Sequence, residues 1–190
     1  MDLQKQQEDL QKEGNSLLSK WKLLEELSKY GKVTVVGSMA LGLMTWRDID
    51  IEVQGDISKD DYFEIARYIF NQHKLNDIRL ADYRKDYNPG HQKGLYINVR
   101  AWANETDKWK LDVWFILPGE SKLDEYYRKT KEKLNIEKIN AILFIKNAVC
   151  QNPKYRKVYS SVDIYKAVLD EGVTNLDQFK EYLAKIGKEL

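Results

Sequence analysis

The stretch Lys32-Val33-Thr34-Val35-Val36-Gly37-Ser38, followed after nine residues by Asp48-Ile49-Asp50-Ile51-Glu52-Val53, decides how this chain is read. The β-rich run 32–36 is stopped by Gly37-Ser38 before the helix-compatible Met39-Ala40-Leu41-Gly42-Leu43-Met44. That order predicts a strand, a tight turn and a short helix. The second run, from Arg47 to Val53, alternates charged and β-branched residues, the period of a strand with one face in a core. Side chains at i and i+2 share a face, so Asp48 and Asp50 present two carboxylates together while Ile49, Ile51 and Val53 point the other way. Glu52 carries the acidic face about 6–7 Å further, to an acceptor amine or to solvent.

Two carboxylates held side by side repel unless a cation sits between them. Magnesium suits the place, because it is hard, prefers oxygen and takes one or two carboxylates plus waters and phosphate oxygens. An acidic-x-acidic triplet is by itself common in a chain with 30 acidic residues among 190. The preceding turn adds specificity. Gly37 lets the backbone approach a ligand closely, and Ser38 offers a hydroxyl and free N–H groups at a helix start, where phosphate is favoured.

Val35-Val36-Gly37-Ser38, nine residues, then Asp48-Ile49-Asp50-Ile51 resembles the signature of the DNA polymerase beta-like nucleotidyltransferases. In that superfamily an apolar strand, Gly-Ser or Gly-Gly, a short helix and Asp-x-Asp or Asp-x-Glu on the next strand follow one another. The resemblance covers residues 30–117 and implies a third carboxylate on a later strand. Trp109-Lys110-Leu111-Asp112-Val113-Trp114-Phe115-Ile116 supplies Asp112 on the face opposite Leu111 and Val113. It further implies that Asp48, Asp50 and Asp112 hold two magnesium ions, with Asp112 taking the proton from the attacking hydroxyl. Gly37, Ser38 and Arg47 are the nucleotide-binding candidates. In length and charge the chain is similar to the small antibiotic-modifying (aminoglycoside or lincosamide) or minimal bacterial members, whose core is followed by helices.

Outward from this stretch, Leu17, Leu18, Trp21, Leu24 and Leu27 recur at helical spacing, predicting one amphipathic helix within 2–30 that ends near Gly31. Ser58 with Asp61 begins another helix, whose buried side is expected from Phe63, Ile65, Ala66, Ile69 and Phe70. Strands are predicted at Ile78–Arg84 and Leu95–Ala101, separated by the turn Asn88-Pro89-Gly90, and at Trp109–Leu117 before Pro118-Gly119. Beyond that the pattern is helical, with starts at Ser121/Asp124, Ser160/Asp163 and Thr174/Asp177 and a stop at Gly172. The fold class is therefore α/β (α+β): a mixed sheet flanked by helices over 1–118, then a helical region over 119–190.

With 31 basic and 30 acidic side chains the net charge is +1, which gives no global field for a long polyanion. No extended nucleic-acid surface is expected. The N-terminus lacks a signal-peptide core, the apolar run near 141–149 is broken by Lys146, and lone Cys150 reads as a small buried hydrophobe. A cytoplasmic protein is expected, with no membrane partner and a homodimer left open. His73, His91 and Cys150 lack zinc spacing. Lys138 and Lys146 are cations on a predicted helix that could touch a triphosphate tail, His91 could border an acceptor pocket, and Trp46, Trp102, Trp109 and Trp114 offer stacking surfaces or core packing.

The expected reaction is in-line attack by an acceptor hydroxyl on the α-phosphate of a nucleoside triphosphate, ATP first among donors, releasing pyrophosphate. A small hydroxylated molecule, an antibiotic among them, is the expected acceptor. A protein or RNA acceptor, as in antitoxin-like members, is the alternative, and a non-catalytic nucleotide-binding relative the third.

Overall fold

A computed structural model describes residues 2–85, 92–121 and 123–190. The expected turn at Asn88-Pro89-Gly90, together with His91, lies outside the described residues. Among the described residues five strands form one mixed sheet in the order β1-β2-β5-β4-β3. These are β1 (Lys32–Val36), β2 (Asp48–Gln54), β3 (Leu75–Asp82), β4 (Leu95–Trp102) and β5 (Lys108–Ile116). Only β2 and β5 run parallel; the other pairs are antiparallel. The sheet is thus the expected α+β core, and its strand alternation sorts the residues. Ile49, Ile51, Val53, Ile97, Val99, Leu111 and Val113 are fully buried on one face, and the opposite face carries Asp48, Asp50, Glu52, Asn98, Lys110 and Asp112.

Helices α1 (Leu3–Lys20), α2 (Leu23–Leu27) and α4 (Lys59–Phe70) cover the apolar face and share its core. The single helix expected over 2–30 is broken at Lys22, which has φ +47. The buried Trp21 explains the break. Its carbonyl accepts a 2.6 Å hydrogen bond from Tyr68 Oη, and its Nε1 donates to the His73 carbonyl at 3.2 Å, so tertiary partners replace the helical ladder there.

Helix α4 opens with the expected capping box, in which Ser58 and Asp61 satisfy each other's backbone N–H groups. Its buried stripe is Tyr62, Ile65, Ala66 and Ile69. Phe63 and Phe70 are 59% and 63% exposed, contrary to expectation, because they fall off the 62/65/66/69 spacing that faces the sheet.

The short helix α3 (Gly37–Leu41) joins β1 to β2, and the C-terminal part holds α5 (Leu123–Lys133), α6 (Ile136–Val149), α7 (Ser161–Glu171) and α8 (Leu176–Lys185). The last three helices build a second apolar cluster around Ile142, Ile145, Ile164, Val168, Phe179 and Leu183. Leu41 and Leu43 belong to that cluster, so the segment after α3 is clasped by the helices. Ser160 and Asp163 form a capping box on α7, and Gly172 ends the helix at φ +70. Helix α8 is capped by Asn175 rather than Thr174, whose Oγ1 bonds the Gln178 side chain. Cys150 is half-buried, with Sγ on the Asn147 carbonyl, rather than a fully buried hydrophobe.

Candidate active site

The parallel pairing of β2 with β5 sets Asp50 opposite Asp112, and the antiparallel pairing of β5 with β4 sets Asp112 opposite Asn98. One row across the polar face therefore brings two of the three predicted carboxylates together, and Asp48 stands one pleat away on β2. Carboxylate oxygens of Asp48, Asp50 and Asp112 lie within 4.8 Å of one another. An all-oxygen set at that spacing suits a hard divalent cation.

The turn before α3 is shaped by the same carboxylates. Gly37 has φ +67, and a Cβ there would fall 2.0 Å from Asp50 Oδ2, so only glycine lets the chain pass. Its N–H donates to Tyr127 Oη of α5 at 2.5 Å. Burial pushes the Tyr127 phenol up to about 12, so it stays neutral and keeps its proton. Ser38 lines the same cleft, which has a volume of about 350 Å³ and is closed on the far side by Tyr126, Tyr155, Arg156 and Ser160.

Two cations that the sequence pattern did not single out sit on the triad. Lys110 Nζ lies between Asp48 Oδ1, at 3.3 Å, and Asp112 Oδ2, which it contacts more closely. Arg156 Nη2 donates to Asp48 Oδ2 at 2.7 Å, and Trp46 Nε1 donates to the same oxygen at 3.2 Å. Burial opposes charge on Asp48, yet Lys110 and Arg156 outweigh it and hold its carboxyl below the ordinary value. Asp50 has the opposite balance. Burial, then the neighbouring charges of Asp48 and Asp112, push it up to about 7. The site thus demands more positive charge than the chain alone supplies, which is the electrostatic condition for a bound cation.

Asp112 is oriented from behind: its Oδ1 accepts from Tyr96 Oη at 2.6 Å and from Asn98 Nδ2 at 2.7 Å. Lys110 was legible in principle, since it sits two residues before Asp112 on the same face, and Asn98 and Tyr96 needed only the β4–β5 register. Arg156 gave no signal. It lies in a polar turn, far along the chain from Asp48, and its φ of +67 is a property of the folded turn.

The remaining candidates are dispersed. Arg47 does not line the cleft; it pairs with Glu13 at 3.0 Å and Asp107 at 3.2 Å, whereas Arg156 does line it. Glu52 is 2% exposed and accepts from Gln54 and, at 3.5 Å, from Gln92, so it does not face open solvent. Lys146 is fully buried, donating to the Leu43 carbonyl at 2.6 Å. Lys138 turns back on the Lys133 carbonyl. Trp109 is a core residue bonded to Glu13, Trp102 lies under Lys108, and Trp114 stacks with Tyr96.

No family model and no curated protein matches this chain. Solved structures do match. A structure of Cid1 described for the basis of its RNA terminal uridylyl transferase activity aligns at a TM-score of 0.60, with 16% identity over 84% of this chain and 46% of that one. Cid1 in complex with its short product ApU aligns at 0.57, with 13% identity over 85% and 48% of the two chains. A structure of a cytoplasmic RNA terminal U-transferase aligns at 0.54, again with 13% identity, over 85% and 46%. The chain shares the fold of these solved structures. The chain spans about half the length of these solved structures. No helix among the described residues is long and apolar enough to cross a membrane.

Proposed function

We propose that the chain is a metal-dependent nucleotidyltransferase that moves a nucleoside monophosphate from a nucleoside triphosphate to an acceptor hydroxyl. The observation that carries this is the convergence of Asp48, Asp50 and Asp112 within 4.8 Å beside the Gly37-Ser38 turn. Asp48 and Asp50 would hold magnesium from β2, and Asp112 would hold it from β5. Bound magnesium, two ions in the expected arrangement, would neutralise the phosphates and lower the pKa of the attacking hydroxyl.

The chain's own groups do the rest. Tyr96 and Asn98 fix Asp112 with Oδ2 toward the cleft, where it can accept the proton of the attacking hydroxyl. Ser38 offers a hydroxyl to the β- and γ-phosphates. Lys110 and Arg156, which neutralise the carboxylates in this structure, are placed to turn toward phosphate oxygens once another cation takes over the acids. Positioning and fixed charge then supply most of the rate.

For the acceptor, the RNA terminal transfer for which the matched structures are described supports the hydroxyl of an RNA end. A small hydroxylated acceptor with AMP as the transferred group, the second reading, draws its support from the net charge of +1. Magnesium-dependent pyrophosphate release tests both: each triphosphate is supplied with a single-stranded RNA or with a panel of aminoglycosides and lincosamides. Release with neither, or full release by Asp50→Asn, refutes the transferase.

A further inference from the structure

On either side of Asp112, strands β4 and β5 continue the polar face with further cross-strand pairs. Register sets Tyr96 beside Trp114, Asn98 beside Asp112, Arg100 beside Lys110 and Trp102 beside Lys108. Trp114 and Tyr96 stack at 4.6 Å between ring centres, tilted by 34°. Tyr83, just past β3, adds a third ring 5.7 Å from Trp114 and 6.0 Å from Tyr96. All three rings are only half-buried. The sheet's apolar core lies on its other face, so these rings are surplus to the core.

Two features connect this patch to chemistry. Tyr96 Oη bonds Asp112 directly, so the ring surface begins at the third carboxylate, and Trp114 lies two residues, about 6–7 Å, further along β5. Arg100 and Arg79 are exposed on the same face, with Arg79 opposite Asn98. Half-buried flat rings, with exposed guanidinium groups one and two rows further along the same sheet face, match the stacked bases and phosphates of an unpaired polynucleotide.

We infer that the polar face of β3, β4 and β5, with Trp114, Tyr96 and Tyr83 as a stacking platform and Arg79 and Arg100 as phosphate contacts, binds the single-stranded 3′ end of an RNA acceptor. The inference rests on the transferase reading above and names the place where its acceptor is held. A base on Trp114 and Tyr96 puts the ribose hydroxyl beside Asp112, on the opposite side of the triad from Ser38 and Arg156. The near-zero net charge is no obstacle, because two arginines and three rings form a short local patch rather than a long basic track.

The test is binding of a 5′-labelled 12-nucleotide single-stranded RNA to the full chain by anisotropy, without nucleotide, beside magnesium-dependent triphosphate binding by thermal shift. Trp114→Leu, which keeps an apolar side chain, is expected to weaken the RNA roughly 5- to 100-fold while leaving the triphosphate shift unchanged. The surface pair Arg79→Ala with Arg100→Ala provides a check that does not disturb packing. It should lower the slope of log affinity against log salt by about 0.7 for each phosphate that is no longer neutralised. A duplex of the same length should bind more weakly, because its bases are already stacked. RNA affinity untouched by both sets of variants, or equal affinity for the duplex, overturns the platform. If the triphosphate binds but no RNA does, the platform fails and the transferase reading stands; if the triphosphate does not bind, that reading fails first.

Discussion

The wall of the cleft made by β2 and β5 and the wall made by Tyr155, Arg156 and Ser160 hold their groups by different means. On the sheet wall, ladder hydrogen bonds fix Asp50 opposite Asp112, and the pleat fixes Asp48 beside them. On the other wall Arg156 sits in a left-handed turn closed by its own N–H on the Tyr159 carbonyl at 2.7 Å. Tyr155 anchors that turn through Ser161 Oγ at 2.6 Å and through an edge-to-face contact with Trp46. The first wall spaces charges that repel, and only a continuous sheet can hold them so. The second supplies a long cation on a short turn, which can follow a ligand. Changes on the sheet wall should therefore remove turnover, and changes on the turn wall should weaken substrate binding.

The sharpest way to break that contrast is Asp50→Asn. Pyrophosphate release should fall roughly 10²–10³-fold at saturating triphosphate, with the fold retained by circular dichroism. A fall in affinity alone would move Asp50 to the binding class. Next comes Gly37→Ala, which sets a methyl against Asp50 in a backbone region alanine avoids. It should cost about 1–3 kcal/mol in denaturant unfolding, and by shifting Asp50 it should lower kcat about 10- to 100-fold. Arg156→Gln should act on the other wall, raising KM for the triphosphate about tenfold with kcat within a few-fold, as loss of one charged hydrogen bond implies. Equal losses in both constants would erase the distinction between the walls.

A separate effect, on stability rather than turnover, concerns Lys146, which joins the second wall to the helical core. Burial is the main cause that lowers it from 10.5 to about 7, against the opposing pull of Asp48 and Asp50. Between those values the unfolded chain holds a proton that the folded chain has released, so stability should rise with pH from about 7 to about 10. Lys146→Met should flatten that rise. Thermal melts of both proteins across the range check it, and parallel curves would mean that Lys146 keeps its proton in the fold.

Much of the site was legible because strand geometry is local. Alternation at Asp48-Ile49-Asp50-Ile51 and at Leu111-Asp112-Val113 assigns faces without knowledge of neighbours, and Ser58/Asp61 and Ser160/Asp163 announce helix starts by local hydrogen bonding. The failures have a common cause. The break at Lys22 depends on Tyr68 reaching the Trp21 carbonyl across the fold. Adjacency to Asp48 suggests Arg47 for the site, but a neighbouring residue on a strand points to the other side, and Glu13 and Asp107 pair with it. Phe63 and Phe70 are apolar, yet a helix buries by phase rather than by composition.

By itself the sequence determined that Asp48 and Asp50 share a face and that a glycine turn precedes them, because periods of two and short-range turns are written in consecutive residues; the third acid on a later strand followed only from the resemblance to a family. Only the tertiary structure decided that β2 and β5 pair in parallel with Asp50 opposite Asp112. It also decided that Lys110 and Arg156 counter the acids, and that Asp48 and Asp50 take opposite pKa shifts two residues apart. Those outcomes depend on distances between segments far apart in the chain, and on burial, neither of which any local pattern encodes.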